Sequence, residues 1–264
     1  MTYSHEYHNP VMVNECLSYL PNSPFAAPKK RNKKHSSMAS SLPPPHDPFI
    51  SLDFTLGGGG HTLAILNTLK LCLLPPHKFH HIGFDQDEEA LSTATHRVHQ
   101  EGLELATHQS NFADVTPALL AALHPASDSR ADYILMDLGV SSHQIDDPSR
   151  GFSHSRDGVV SHAIEGGKGE AAPLDMRMSD KTDLTAAHIC NTYPESALIS
   201  IFRTHGDEAP STAGKIATAI VASRPHKSTA DLTAAVASVV PAWHKTSPRL
   251  GLTKTLSRIF QSLR

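Results

Sequence analysis

An acid, four glycines and a polar triplet stand in one stretch, Asp53-Phe54-Thr55-Leu56-Gly57-Gly58-Gly59-Gly60-His61-Thr62. Glycines let a chain turn tightly and bring bare backbone against a ligand. Amides left free where a helix begins attract an anionic group. Such a turn suits the carboxylate of an amino-acid-like ligand. It is not a dinucleotide fingerprint: with Gly57 and Gly59 in place, Thr62 stands where a third Gly or Ala belongs. It is not a Walker loop either, because no Gly-Lys-Ser/Thr follows. A second acid, Asp85 in Gly83-Phe84-Asp85-Gln86-Asp87, lies roughly 20–30 residues beyond the glycines, where a carboxylate can accept both hydroxyls of a ribose. Asp87 reads as the cap of the following helix. Phe112, in Asn111-Phe112-Ala113-Asp114, offers a ring to flank a base, with core packing as the plainer alternative. Asp137, in Asp137-Leu138-Gly139-Val140-Ser141-Ser142-His143-Gln144, puts a carboxylate and a glycine backbone together.

These segments need a scaffold that gathers them, and the flanking patterns supply one. Phe49–Phe54, His80–Asp85, Leu103–Gln109 and Ala131–Asp137 read as short buried strands. Thr62–Leu74, Asp87–Gln100 and Asp114–Leu123 read as helices between them. Alternation of this kind predicts an α/β fold, a doubly wound parallel sheet with helices on both faces. Ligands in such sheets sit at the carboxyl ends of the strands, where the strand order reverses. A turn for an amino-acid end, a diol acceptor, an aromatic wall and a carboxylate describe an S-adenosylmethionine site better than a nicotinamide site.

After Ser142 the alternation stops. Leu184–Asn191, Ala197–His205, Thr212–Ser223 and Thr229–Val239 read as helices. Residues 1–140 are therefore expected to form the cofactor-binding core, 141–245 a helical insert for substrate recognition, and 246–264 a basic amphipathic helix returning to the core. Residues 21–48, rich in proline and carrying Lys29-Lys30-Arg31-Asn32-Lys33-Lys34, read as a flexible insert. The net charge is −3, so bulk charge does not drive nucleic-acid binding, yet it is uneven. Residues 1–140 carry 9 basic and 14 acidic side chains, and 141–264 carry 14 and 12. Three distant cysteines exclude a disulfide framework, and His77, His80 and His81 lack the partners of a metal site, so no metal is expected. No apolar run reaches the roughly 18 residues of a membrane helix. Met1–Asn9 has no apolar core and does not read as a secretory signal. The expected location is the cytoplasm, or a mitochondrial matrix in a eukaryotic host.

Several of these runs resemble the ribosomal small-subunit methyltransferase H family, also called MraW, which methylates N4 of a cytidine in the decoding centre of 16S-type rRNA. They are His8–Glu15, Asp53–Thr62, Gly83–Asp87, Asp137–Asp146, Arg150-Gly151-Phe152-Ser153, Asp157-Gly158, Pro173-Leu174-Asp175-Met176-Arg177-Met178, Phe202–Glu208 and Arg258–Arg264. Asp-Leu-Gly-Val-Ser-Ser and Pro-Leu-Asp-Met-Arg-Met are the specific ones. The resemblance implies S-adenosyl-L-methionine as cofactor, with contacts on Gly60, His61, Thr62, Asp85, Phe112, Asp137 and Gln144. It implies small-subunit ribosomal RNA, or the assembled small subunit, as partner. Asp137 is the candidate catalytic group, and Arg150, Arg156, Arg177, Arg203 and the basic tail are candidates for phosphate contacts.

The chain departs from the family in four places. Residues 21–48 are long, residues 159–172 interrupt a usually continuous run, and Ala209–Gly214 lacks the usual basic and aromatic pattern. Family members also continue past the position of Arg264 into further strands. The expectation is a chain truncated at its C-terminus, its sheet edge unpaired. The alternative function is then an inactive remnant that binds cofactor or RNA.

Overall fold

In the computed structural model, residues 10–25, 48–73, 75–123, 130–141, 144–145, 147–154, 172–240 and 251–264 are described. The basic run at 29–34, His8, Asn9, Arg156, Asp157, Gly158, Lys245, Arg249 and most of the 21–48 and 159–172 segments lie outside them. The described chain divides into two units, Met1–Ser142 and His143–Arg264.

The first unit holds four parallel strands: β1 (Phe49–Asp53), β2 (Phe79–Asp85), β3 (Ala106–Gln109) and β4 (Tyr133–Leu135), in the order β3-β2-β1-β4. The order reverses at β1, whose neighbours are β2 on one side and β4 on the other. The α/β expectation holds. Helices α1 (Val13–Leu17), α2 (Gly60–Cys72), α3 (Glu88–Gln100) and α4 (Pro117–Leu123) connect or flank the strands. α1 and α2 bury Leu17, Ala64, Ile65 and Leu69 against Phe49 and Leu135 on one face. On the other face Leu120 of α4 covers Ile50, Leu52, Ile82 and Phe84. Each Leu, Ile or Phe among them contributes about 1.5–3 kcal/mol by leaving water.

The outer strands are shorter than their apolar runs suggest. β3 begins at Ala106 rather than Leu103, and β4 covers three residues of the seven expected. Pairing explains this: the ladder from β1 to β4 runs only from Ser51↔Tyr133 to Asp53↔Leu135. Ile134, Met136 and Leu138 are exposed along β4 and just beyond it.

The second unit is helical: α5 (Ala186–Thr192), α6 (Glu195–Thr204), α7 (Pro210–Ala222), α8 (Thr229–Val239) and α9 (Leu252–Ser262). Leu198, Phe202, Ile216, Ile220, Leu232, Val236, Leu256, Ile259 and Phe260 are fully buried. α9 packs on α6 and α8. Its apolar stripe finds a matching face there, and Arg258 pairs with the buried Glu208 at 2.7 Å. No helix among the described residues is long and apolar enough to cross a membrane.

Candidate functional site

Two glycines shape the turn after β1. Gly57 and Gly59 have φ of 48° and 72°, a region that side chains disfavour. A Cβ on Gly59 would stand 2.9 Å from the Ala94 Cβ, so only glycine lets the turn sit against α3. Gly60, His61 and Thr62 then form the first turn of α2. The Gly58 carbonyl is held by the Arg97 guanidinium at 3.1 Å.

Asp85 ends β2 and reaches back to that turn. One carboxylate oxygen accepts the Gly57 N–H at 2.8 Å, and the other accepts the Asp87 N–H at 3.0 Å. A carboxylate offers about four acceptor sites, so two N–H bonds leave acceptor capacity for a diol. Burial raises the Asp85 pKa, and the two N–H bonds oppose it. Asp87 caps α3 by accepting the Glu89 N–H at 3.2 Å, as its position predicts.

The β4 end meets the same turn. The Asp137 N–H donates to the Thr55 hydroxyl at 2.7 Å, and the Asp137 carboxylate lies 3.7 Å from His61 Nδ1. That carboxylate is about half exposed, at 52%. The far nitrogen of His61 is 2.9 Å from the Val11 carbonyl, tying the segment before α1 to the site. Phe112 stands in a short 3-10 turn beside the β2 end, because the Asn111 side-chain amide donates to the Gln86 side chain at 3.3 Å and the Ser110 N–H donates to the Asp85 carbonyl. Phe112 is 39% exposed, so core packing, the plainer alternative, does not absorb it.

Gly60, His61, Asp85, Phe112 and Asp137 are thus gathered around the strand carboxyl ends, whereas the Thr62 side chain, expected among the contacts, is 0% exposed and engaged behind the turn by Asp53 and His81. Gln144 belongs to the second unit, where it is buried. The set fits a cationic nucleoside with an amino-acid end. Asp85 and Asp137 offer carboxylate oxygens, the turn offers bare peptide, and Phe112 offers a ring face.

Ser51 and His81 lie outside the motifs, and the contacts of Thr55 and Asp53 do not show in the spacing of the first motif. Thr55 joins the turn to β4. Ser51, Asp53 and His81 form, with Thr62, a buried polar chain behind the turn. Asp53 is 1% exposed, accepts the Thr55 N–H at 3.1 Å and the Thr62 hydroxyl at 2.8 Å, and burial pushes its pKa up to about 6. The signal was present: polar residues inside two apolar strands, at positions that pair across the sheet.

Among the candidate phosphate contacts, Arg177 is held by the Asp175 carboxylate at 2.8 Å. Arg150 donates to the Arg177 carbonyl at 3.0 Å, and Arg258 is engaged by Glu208. Arg203 lines a cleft of about 510 Å³ with Ser200, Thr204 and Asp207.

A family model described as the MraW methylase family matches residues 5–264. The "Ribosomal RNA small subunit methyltransferase H" of Chlorobium luteolum is 36% identical over 269 residues, which cover 98% of this chain and 66% of that protein. The same-named protein of Chlorobaculum parvum is 36% identical over 267 residues, covering 98% and 67%. That of Bifidobacterium longum is 35% identical over 263 residues, covering 97% and 58%. The chain therefore matches between 58% and 67% of the length of these relatives.

Proposed function

The chain belongs to the MraW methylase family, and from that premise we propose that it is an S-adenosylmethionine-dependent methyltransferase acting on small-subunit ribosomal RNA, at the exocyclic N4 of a cytidine. The observation that carries the reading is the convergence on one glycine turn of Asp85, through Gly57 at 2.8 Å, and Asp137, through Thr55 at 2.7 Å.

In this reading Asp85 takes the ribose hydroxyls and the Gly57–Thr62 turn takes the amino-acid end. Phe112 flanks the adenine. When bound, the cofactor supplies an activated methyl on a sulfonium, so the work left to the chain is alignment and care of the acceptor. The cytosine amino lone pair is delocalised into its ring. A carboxylate accepting an N4–H bond favours a pyramidal nitrogen and can take the proton afterwards. In this reading Asp137 takes that role, supported by its half-exposed carboxylate and its backbone hydrogen bond to Thr55. The target base must be unstacked to reach it. Arg203, in its cleft on the second unit, is the clearest candidate for a phosphate contact.

A second reading, cofactor or RNA binding without catalysis, draws on the same exposure of Asp137, since water screens and competes for an open carboxylate. One experiment separates them. Purified protein is given cofactor and small ribosomal subunits, and N4-methylcytidine in the RNA is mapped by mass spectrometry. Methylation of a single cytidine is expected. Calorimetric binding of cofactor with no methylated product would establish the second reading, and absence of both would reject the cofactor site.

A further inference from the structure

Behind the glycine turn lies a chain of four buried side chains. Ser51 and His81 are register partners on β1 and β2, 0% and 5% exposed. His81 Nδ1 is 2.7 Å from the Ser51 hydroxyl, and Nε2 is 2.9 Å from the Thr62 hydroxyl. Thr62 in turn lies 2.8 Å from Asp53.

The bond order follows from donor and acceptor counting. An ionised Asp53 can only accept, so Thr62 donates to it. Thr62 then has only lone pairs left for His81, which places the ring proton on Nε2. Nδ1 accepts from Ser51. If Asp53 carries a proton, the order reverses. Asp53 donates to Thr62, Thr62 donates to Nε2, Nδ1–H donates to Ser51, and the Ser51 hydroxyl turns to the His80 carbonyl at 3.4 Å. The two orders differ by one proton, carried on Asp53, and the imidazole is neutral in both. Burial holds it so, pushing the His81 pKa down to about 3. An apolar side chain at 81 breaks both orders.

We infer that His81 is a positioning residue: through Thr62 and Asp53 it holds the Gly57–Thr62 turn in the shape that receives the amino-acid end of the cofactor, whichever charge Asp53 carries. The inference rests on the cofactor reading above for its ligand, but not for its geometry. The ionisable groups around Asp53 are His61 at the start of α2, Asp85 on β2, Cys16 on α1 and Tyr133 on β4. Of these, His61 favours its ionised form and Asp85 opposes it.

The test uses the whole chain and the variants His81→Phe, His81→Gln and Ser51→Ala. Amide hydrogen exchange is followed at residues 57–63, and S-adenosylmethionine affinity is measured by calorimetry at pH 7.5. His81→Phe keeps an aromatic ring of similar size but has no hydrogen-bonding atom. It is expected to speed exchange in the turn about tenfold and weaken the cofactor about tenfold, with exchange in α6–α8 unchanged. His81→Gln places an amide where Nε2 stood, can donate to Thr62, and is expected to recover both to within about threefold. Ser51→Ala, at the far end, is expected to cost about two- to threefold. Native exchange and affinity in folded His81→Phe would overturn the inference, as would equal losses in the Phe and Gln variants. Should His81→Phe not fold, wild-type behaviour of both His81→Gln and Ser51→Ala does not decide for the chain but against it, because the weaker of the two is expected to show a loss. If the wild type binds no S-adenosylmethionine, the cofactor reading falls alone, and the exchange data still judge the chain.

Discussion

The strand ends of the first unit and the helix faces of the second handle polar groups in opposite ways. In the first, Ser51, Asp53, Thr62 and His81 are buried in the middle of the layer, satisfied only by one another and by nearby backbone. In the second, the bundle interior is lined by Leu198, Phe202, Ile216, Ile220, Val236 and Phe260, and the buried Thr229 and Thr233 hydroxyls of α8 have no hydrogen-bond partner among the described residues. Ser228 and Asp231 form a capping box on α8, Asn191 grips the His226 backbone at 2.7 Å, and Glu208 meets Arg258. Burying a charge is costly, and a fold accepts it where a geometry must be held against a ligand. The connected polar chain backs the proposed cofactor turn, while the apolar helix faces give the second unit its packing scaffold.

The largest expected effect tests the scaffold side. Phe202→Ala removes a fully buried ring and should destabilise the helical unit by about 3–5 kcal/mol, read by urea denaturation and by exchange in α6–α9. On the site side, Asp85→Ala removes the group that meets both the turn and the proposed ribose. It should weaken S-adenosylmethionine by more than about 100-fold in calorimetry, a loss of about 3 kcal/mol, and near-native affinity would take Asp85 out of the site.

The buried chain should also show in the pH dependence of stability. Asp53 has a folded pKa raised from 3.8 to about 6. Between those values the folded state holds the extra proton, so this group's contribution falls as pH rises through the window, by up to about 3 kcal/mol. His81 is lowered from 6.5 to about 3, so its contribution is present above 6.5 and is lost as pH falls toward 3. The two slopes oppose each other between about pH 4 and 6 in the wild type. Asp53→Asn should expose the His81 slope, and melts at pH 4.5, 6 and 7.5 should show steeper loss on acidification. An unchanged profile would mean that neither group titrates as placed. The smallest effect belongs to the scaffold again: Ser228→Ala should cost about 1 kcal/mol by removing the α8 cap, with no change in cofactor affinity.

Much of this was written locally. The glycine turn, the cap at Asp87, the strand-ending acids and the helices of the second unit follow from spacing within about a dozen residues, and propensity and periodicity act at that range. The apolar runs locate the strands but overextend them at the sheet edges, since such a run does not reveal how many residues a neighbour pairs. For α9 the sequence shows an amphipathic stripe, which states that it will be covered without stating by what.

The sequence alone determined that acids and bare peptide would stand at the ends of parallel strands, because each follows its own apolar run. Only the tertiary structure decided that Gly57 would bond Asp85, that Thr55 would bond Asp137, and that Ser51, His81, Thr62 and Asp53 would share one line of hydrogen bonds. Those contacts join residues 9 to 82 positions apart. Hydrogen bonds depend on separations of tenths of an ångström, and at such sequence distances only strand register and helix packing set them.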